Sequence, residues 1–200
     1  MRKNTIVLIL TSCVLVLSGC ASYKSGAVSL REATQFSNVR QVDGVSVAAE
    51  ALTDSARIKE IFYEDISAGG FFPIEVVIHN GTANRILIQT NQIEVVGVAG
   101  DTFRPINVTT MIDEFEHNKM AYLFFGGLFS YMSAEDANKK MASDWTSKEL
   151  PRDLIVNPSR RSSGFVYVKM PKGMKPTGMQ LTVTFENLET KGISTAKIQL

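Results

Sequence analysis

This 200-residue sequence predicts a mainly β fold of two packed antiparallel sheets, interrupted by one helical insertion. Three observations carry that prediction. Short β-branched and apolar runs recur between Val45 and Leu200, alternating in and out with the period of a strand. Asn80-Gly81, Gly100-Asp101 and Asn157-Pro158-Ser159 separate them, and such pairs favour tight turns. The rhythm breaks between Asn107 and Leu150, where the spacing turns helical.

The elements follow in order. Val45-Ser46-Val47-Ala48 alternates as a first strand. Thr53-Asp54 offers a helix cap, Ile58, Ile61, Phe62 and Ile66 share one helical face, and Gly69-Gly70 supplies the stop. The longest β signal runs from Phe71 to His79, with Ile74, Val76 and Ile78 on one face. Arg85 to Thr90 returns from the Asn-Gly turn with Ile86 and Ile88 inward, Gln92 to Val98 forms the next strand, and Thr102-Phe103-Arg104 turns back. After the insertion come Leu154-Ile155-Val156, Gly164 to Met170, Met179 to Asn187 and Ile193 to Leu200. That makes about seven or eight strands, enough for a sandwich or a barrel.

The insertion, at about 107–150, reads as a helical hairpin. Met111, Ile112, Phe115, Lys119 and Met120 follow a helical spacing, Tyr122 to Met132 is nearly all apolar, and Ser133 with Glu135 and Asp136 forms a cap with an acidic first turn. Ala137, Met141 and Trp145 then mark a second helix. Two readings of the apolar run stand side by side. It packs over the sheet and buries its own face, or Leu123, Phe124, Phe125, Leu128 and Phe129 stay exposed as a contact for a partner protein, a second copy or a membrane surface. Gly126-Gly127, costly inside a helix, favours a bend or a close backbone approach.

The first residues give an address. Arg2 and Lys3 form a basic head, Ile6 to Leu17 is almost wholly apolar, and Leu17-Ser18-Gly19-Cys20 closes it with small residues and a cysteine. This is the anatomy of a secretory signal, too short to span a membrane. Leu17-Ser18-Gly19-Cys20 resembles the lipobox of bacterial lipoproteins. The resemblance implies that residues 1–19 are removed, that Cys20 is acylated, and that the lipid is the chain's membrane partner. Ala21 stands where those proteins carry an aspartate to stay in the inner membrane, so the resemblance implies the outer membrane, facing the periplasm. Residues 20–44, rich in Ser, Ala and Gln, read as a tether to the domain at 45–200, with Leu30 and Phe36 able to dock on it.

Loss of Arg2 and Lys3 takes the basic residues from 21 to 19 against 20 acids, a balance that argues against nucleic acid. With Cys13 removed and Cys20 acylated, no thiol remains for a disulfide, a metal or nucleophilic attack.

Pro73 to Gly81, a strand ending at Gly100-Asp101-Thr102-Phe103, and Asn157-Pro158 leading to Gly164-Phe165-Val166-Tyr167 follow one another in this chain. In that order they are similar to bacterial lipoproteins and secreted proteins with an immunoglobulin-like sandwich, mostly of unknown function. The likeness covers roughly Val45 to Leu200 and implies an immunoglobulin-like antiparallel β-sandwich with a short N-terminal helix and an inserted helical hairpin. It implies no activity.

Chemistry is hard to nominate. His79 ends a strand beside a turn; His117 has Asp113 four residues before it, one ligand pair on a helical face and too few for a metal site. No nucleophile motif or phosphate-binding loop occurs, so no catalytic residue, no metal and no cofactor is expected. Arg160-Arg161, with Arg152 nearby, is the one compact basic spot and a candidate anion or partner contact in an exposed turn. The expected function is therefore a lipid-anchored, non-catalytic binding or scaffolding module with an envelope protein as partner. A carrier or sensor of a small apolar ligand, with the hairpin as lid, is the alternative, and an envelope hydrolase the third.

Overall fold

A computed structural model describes residues 31–114 and 131–200; of residues 131–138 it describes the helical backbone alone. Along the chain run β1 (Arg40–Val42), β2 (Val45–Ala51), helix α1 (Ser55–Phe62), β3 (Phe71–Asn80), β4 (Ile86–Gln89) and β5 (Glu94–Val96). Then come β6 (Thr102–Phe103), β7 (Pro105–Ile106), helix α2, described over 108–114, and helix α3 (Tyr131–Lys148). The last strands are β8 (Asp153–Val156), β9 (Arg160–Lys169), β10 (Gln180–Asn187) and β11 (Ile193–Gln199).

These make two curled antiparallel sheets with a few short helices. The first sheet has the order β1-β2-β3-β9-β7. In the second, β10 pairs with β11 on one side; on the other, β4 takes its Phe185–Asn187 end and β5 its Gln180–Thr182 end. A single-turn 3-10 helix, Thr90–Gln92, separates β4 from β5, and β8 and β6 extend the sheet beyond them. The predicted inward residues are inward. Ile74, Val76 and Ile78 of β3 and Leu181, Val183 and Phe185 of β10 belong to one core between the sheets, with Ile86, Ile88, Val166 and Val168.

The outer face of the first sheet is buried too. β3 is buried at nine of its ten positions, all but His79, so strand alternation there separates two cores rather than core from water. Over its Phe71, and over Phe165 and Tyr167 of β9, lie Ile58 and Phe62 of α1, Met111 and Ile112 of α2, and Met141 and Trp145 of α3.

Several expectations are corrected. The helix expected from Thr53-Asp54 to Gly69-Gly70 does begin at the Asp54 cap, whose side chain accepts from Arg57 N–H at 2.8 Å. It ends, however, at Phe62, where Tyr63 adopts a left-handed conformation, and a 3-10 turn, Ile66–Gly69, follows. Asp65 starts that turn by accepting from Ser67 N–H at 3.2 Å, giving the backbone a local alternative to the helix. Ser133 lies inside α3 instead of capping it. Of the expected tether over residues 20–44, the part from Arg31 on is folded against the first sheet, with Phe36 docked on Ala48 and Val77 as expected, while Leu30 lies outside the described residues. Asp43 and Gly44, both at positive φ, make the two-residue turn that pairs Val42 with Val45.

Candidate functional site

The insertion leaves the first sheet and returns to it at one place. Pro105 and Ile106 pair with Val168 and Tyr167 of β9, and Asn107 then caps α2 by accepting from Thr110 N–H at 2.7 Å. On the return, Leu150 N–H donates to Phe165 O at 2.8 Å. Glu149 joins the two ends, because its carboxylate accepts from Val108 N–H at 3.0 Å in the first turn of α2. An acidic group at a helix N-terminus satisfies an orphan donor and meets the positive end of the dipole. Burial nevertheless pushes the Glu149 carboxyl above its ordinary value, against the opposing pull of the Val108 N–H and of Arg152.

Such a close return needs Gly164. A Cβ there would lie 3.0 Å from both N and Cα of Leu150 and 3.2 Å from Lys148 O, so the α3 exit crosses β9 at a position without a side chain.

The aromatic layer beneath is locked by bonds from side chain to backbone. The Trp145 indole, fully buried, donates to Phe62 O at 3.1 Å, and Lys148 Nζ donates to Ile61 O at 2.7 Å. Two terminal carbonyls of α1 thereby gain partners, one from a cation, as the negative end of a helix favours. Lys148 also pairs with Asp144, and Tyr167 Oη donates to Trp145 O at 3.2 Å. The Phe62 ring meets Phe165 edge-on at 5.1 Å and Tyr167 at 5.9 Å.

Beside this layer, on the same face, lies a charged cluster. Glu50 and Glu75 are register partners on β2 and β3, and Glu75 is only 3% exposed. Arg31 and Arg57 neutralise them. The guanidinium of Arg31 is held above its usual value: burial works against it, and the hydrogen bonds to Glu75 and Glu50 prevail. This cluster did not emerge from the sequence, although the signal was there. A single carboxylate inside Phe-Phe-Pro-Ile-Glu-Val-Val-Ile needs a charged partner once the strand is buried.

The nominated residues are placed as follows. Cys20, the contact residues Leu123, Phe124, Phe125, Leu128 and Phe129, and His117 lie outside the described residues. Arg160, whose N–H closes the exposed turn from Asn157 O at 3.1 Å, and Arg161 open β9, opposite Asn80 and His79. Consecutive strand residues point to opposite faces, so the expected single basic spot is divided; Arg161 pairs with Glu32. His79 is exposed at its strand end. Among the described residues, no group of three or more His, Cys, Asp or Glu is placed to hold a metal, and no helix is long and apolar enough to cross a membrane.

A cleft of about 170 Å³ opens among the turns at one end of the sheets, lined by Asp43, Thr82, Ile86, Phe185, Thr190 and Ser194 among others. Its polar groups are occupied locally: Ser194 Oγ donates to Asp43, Thr82 Oγ1 to Asn80 Oδ1 at 2.7 Å, and Gly192 N–H to Thr190 Oγ1 at 3.3 Å.

Comparison with family models and with characterised proteins finds no match. Among solved structures, the yjhA protein from Bacillus subtilis aligns over 82% of this chain and 98% of its own, at 9% identity and a TM-score of 0.40. A likeness of that degree carries no argument about function.

Proposed function

We propose that this chain is a non-catalytic binding or scaffolding module of the bacterial envelope. It is anchored through acylated Cys20 in the outer membrane, faces the periplasm, and has an immunoglobulin-like sandwich as its body. Leu123, Phe124, Phe125, Leu128 and Phe129 are its contact with an envelope protein. The observation that supports this most is the fixed stem of the insertion. Among the described residues, 107–114 and 139–149 contribute nothing to the core between the sheets; Glu149 joins the two ends of the segment at Val108 N–H, and its exit crosses β9 at Gly164. A segment held on a fixed stem suits presentation to a partner. The alternative, a carrier of a small apolar ligand, has less support: among the described residues, buried side chains of both sheets meet in one core, and the cleft among the turns, about 170 Å³, is below the ~300 Å³ from which pockets for such ligands usually start.

The test uses the full chain in envelope fractions. Cys20→Ala is expected to move the protein from the membrane to the soluble fraction. Phe124→Asp with Phe129→Asp is expected to leave it folded and membrane-bound but stripped of cross-linked envelope proteins. Retention of the Cys20→Ala chain in the membrane would sink the anchoring; an unchanged cross-linking pattern would sink the contact surface.

A further inference from the structure

Glu50 and Glu75 stand directly opposite one another on the outer face of the first sheet. Like charges in that position destabilise a sheet unless cations intervene. One cation belongs to the folded body: Arg57 of α1 reaches Glu50 at 3.1 Å and Glu75 at 3.9 Å. The other comes from the segment ahead of β1. Arg31 donates to Glu75 from its backbone N–H and Nε, each at 3.0 Å, and from Nη2 at 2.7 Å, and it also pairs with Glu50. Nε and Nη2 converge on one carboxylate oxygen, Oε2, while the backbone N–H takes Oε1, so a planar guanidinium places two donors at the same acceptor.

Five residues on, Phe36 closes over Ala48 and Val77, both fully buried, and the Arg31 guanidinium lies 4.1 Å from the Phe36 ring centroid. Asn38 Nδ2 donates to Ala49 O at 2.7 Å. Between Arg31 and Val39, no backbone-to-backbone hydrogen bond joins the segment to either sheet; those it makes, Gln35 N–H to Glu32 O at 2.9 Å and Phe36 N–H to Ala33 O at 3.2 Å, stay within it. Apart from the Arg31 N–H, the segment is thus held as a bound peptide is, through side chains: Arg31 and Phe36 against β2 and β3, Asn38 also on Gln199 O of β11, and Glu32 on Arg161 of β9.

We infer that this face is a peptide-binding site. Its ligands are protein segments with an arginine followed five residues later by an aromatic side chain, and residues 31–39 are its occupant in cis. The carboxylate pair sets the demand for a guanidinium, and the Ala48–Val77 recess sets the place of the ring. A partner segment competes with a tethered occupant whose effective concentration is about millimolar, so exchange in trans requires a concentrated partner or a weakened arm.

The experiment is a fluorescence-anisotropy titration of a fluorescein-labelled peptide carrying the sequence of residues 29–39, with the full chain in detergent. The chain bearing Arg31→Ala and Phe36→Ala is expected to bind the peptide at least tenfold more tightly than the unsubstituted chain. Adding Glu75→Gln, or replacing the peptide's arginine with alanine, is expected to abolish that binding. A double variant that keeps its circular dichroism and cooperative melting, yet binds no better than the unsubstituted chain, overturns the inference. Equal binding of the alanine-bearing peptide overturns it too. Should the double variant fail to fold, Phe36→Ala alone vacates the ring recess, and the same two outcomes decide.

Discussion

The two faces of the first sheet are both buried, and they are buried by different physics. The inner face meets the second sheet through Ile74, Val76, Ile78, Val166 and Val168, an apolar layer without directional bonds. The outer face also uses apolar side chains, but it carries Glu75, Asp144, Lys148, the Trp145 indole and the Tyr167 hydroxyl, each tied to a partner distant in sequence or on a neighbouring turn. Burial of apolar area is non-directional, so the inner face tolerates any packing that fills its volume. Buried polar groups tolerate only the geometry that satisfies them. The outer face therefore fixes where α1 stops, where α3 crosses and where the N-terminal segment lies.

The strongest way to break this comparison is Trp145→Ala. Loss of the ring, together with an orphaned Phe62 carbonyl, is expected to cost about 3–5 kcal/mol. Hydrogen exchange should quicken in α1 and α3 while β10 and β11 keep their protection; uniform acceleration through both sheets would show that the two faces are one cooperative unit. A volume-conserving change of a residue packed against the inner face, Leu181→Met of β10, should cost less than ~1.5 kcal/mol in a denaturant titration.

A smaller effect is expected from Gly164→Ala. The added methyl meets the Leu150 backbone at 3.0 Å, and displacing the α3 exit is expected to cost about 1–3 kcal/mol. Proteolysis near residues 107–150 should increase with no change elsewhere. An alanine variant as stable and as resistant as the original would mean that the stem is not held by that close crossing.

The smallest effect sharpens the comparison through pH. Burial raises the Glu149 carboxyl above its unfolded value. The folded state therefore favours the protonated group, and that contribution to stability is present at low pH and lost as pH rises through the folded-state value. Glu149→Gln keeps an oxygen acceptor for Val108 N–H without the cost of ionisation. The melting temperature of the variant, measured relative to the original, is expected to be higher at pH 8 than at pH 4. The reverse order would show that the carboxylate charge, acting on the α2 dipole, outweighs its burial.

Asp65 and Glu189 behave in the opposite sense. Burial works against Asp65, but hydrogen bonds from Ser55 and Ser67 hold it below its ordinary value, and Arg85 does the same for exposed Glu189. Their contributions are present above the unfolded value and fade as pH falls. Acidification thus acts in opposite senses on different parts of the molecule, weakening the Asp65 and Glu189 contacts and favouring the Glu149 stem.

By itself the sequence determined the strands of the two-sheet core, because a period of two and turn pairs such as Asn80-Gly81 are local properties of neighbouring residues. Asp43-Gly44 carried the same kind of signal and could have revealed β1. Only the tertiary structure decided that α1 stops at Phe62, that Arg160 and Arg161 part company, and that Arg31 closes the Glu50–Glu75 pair. The first and the last of these rest on residues brought together from distant parts of the chain, Trp145 with Phe62 and Arg31 with Glu75, and the second on the place where β9 begins. A buried polar group needs a partner, and its own neighbours in sequence do not say which residue the fold will bring to it.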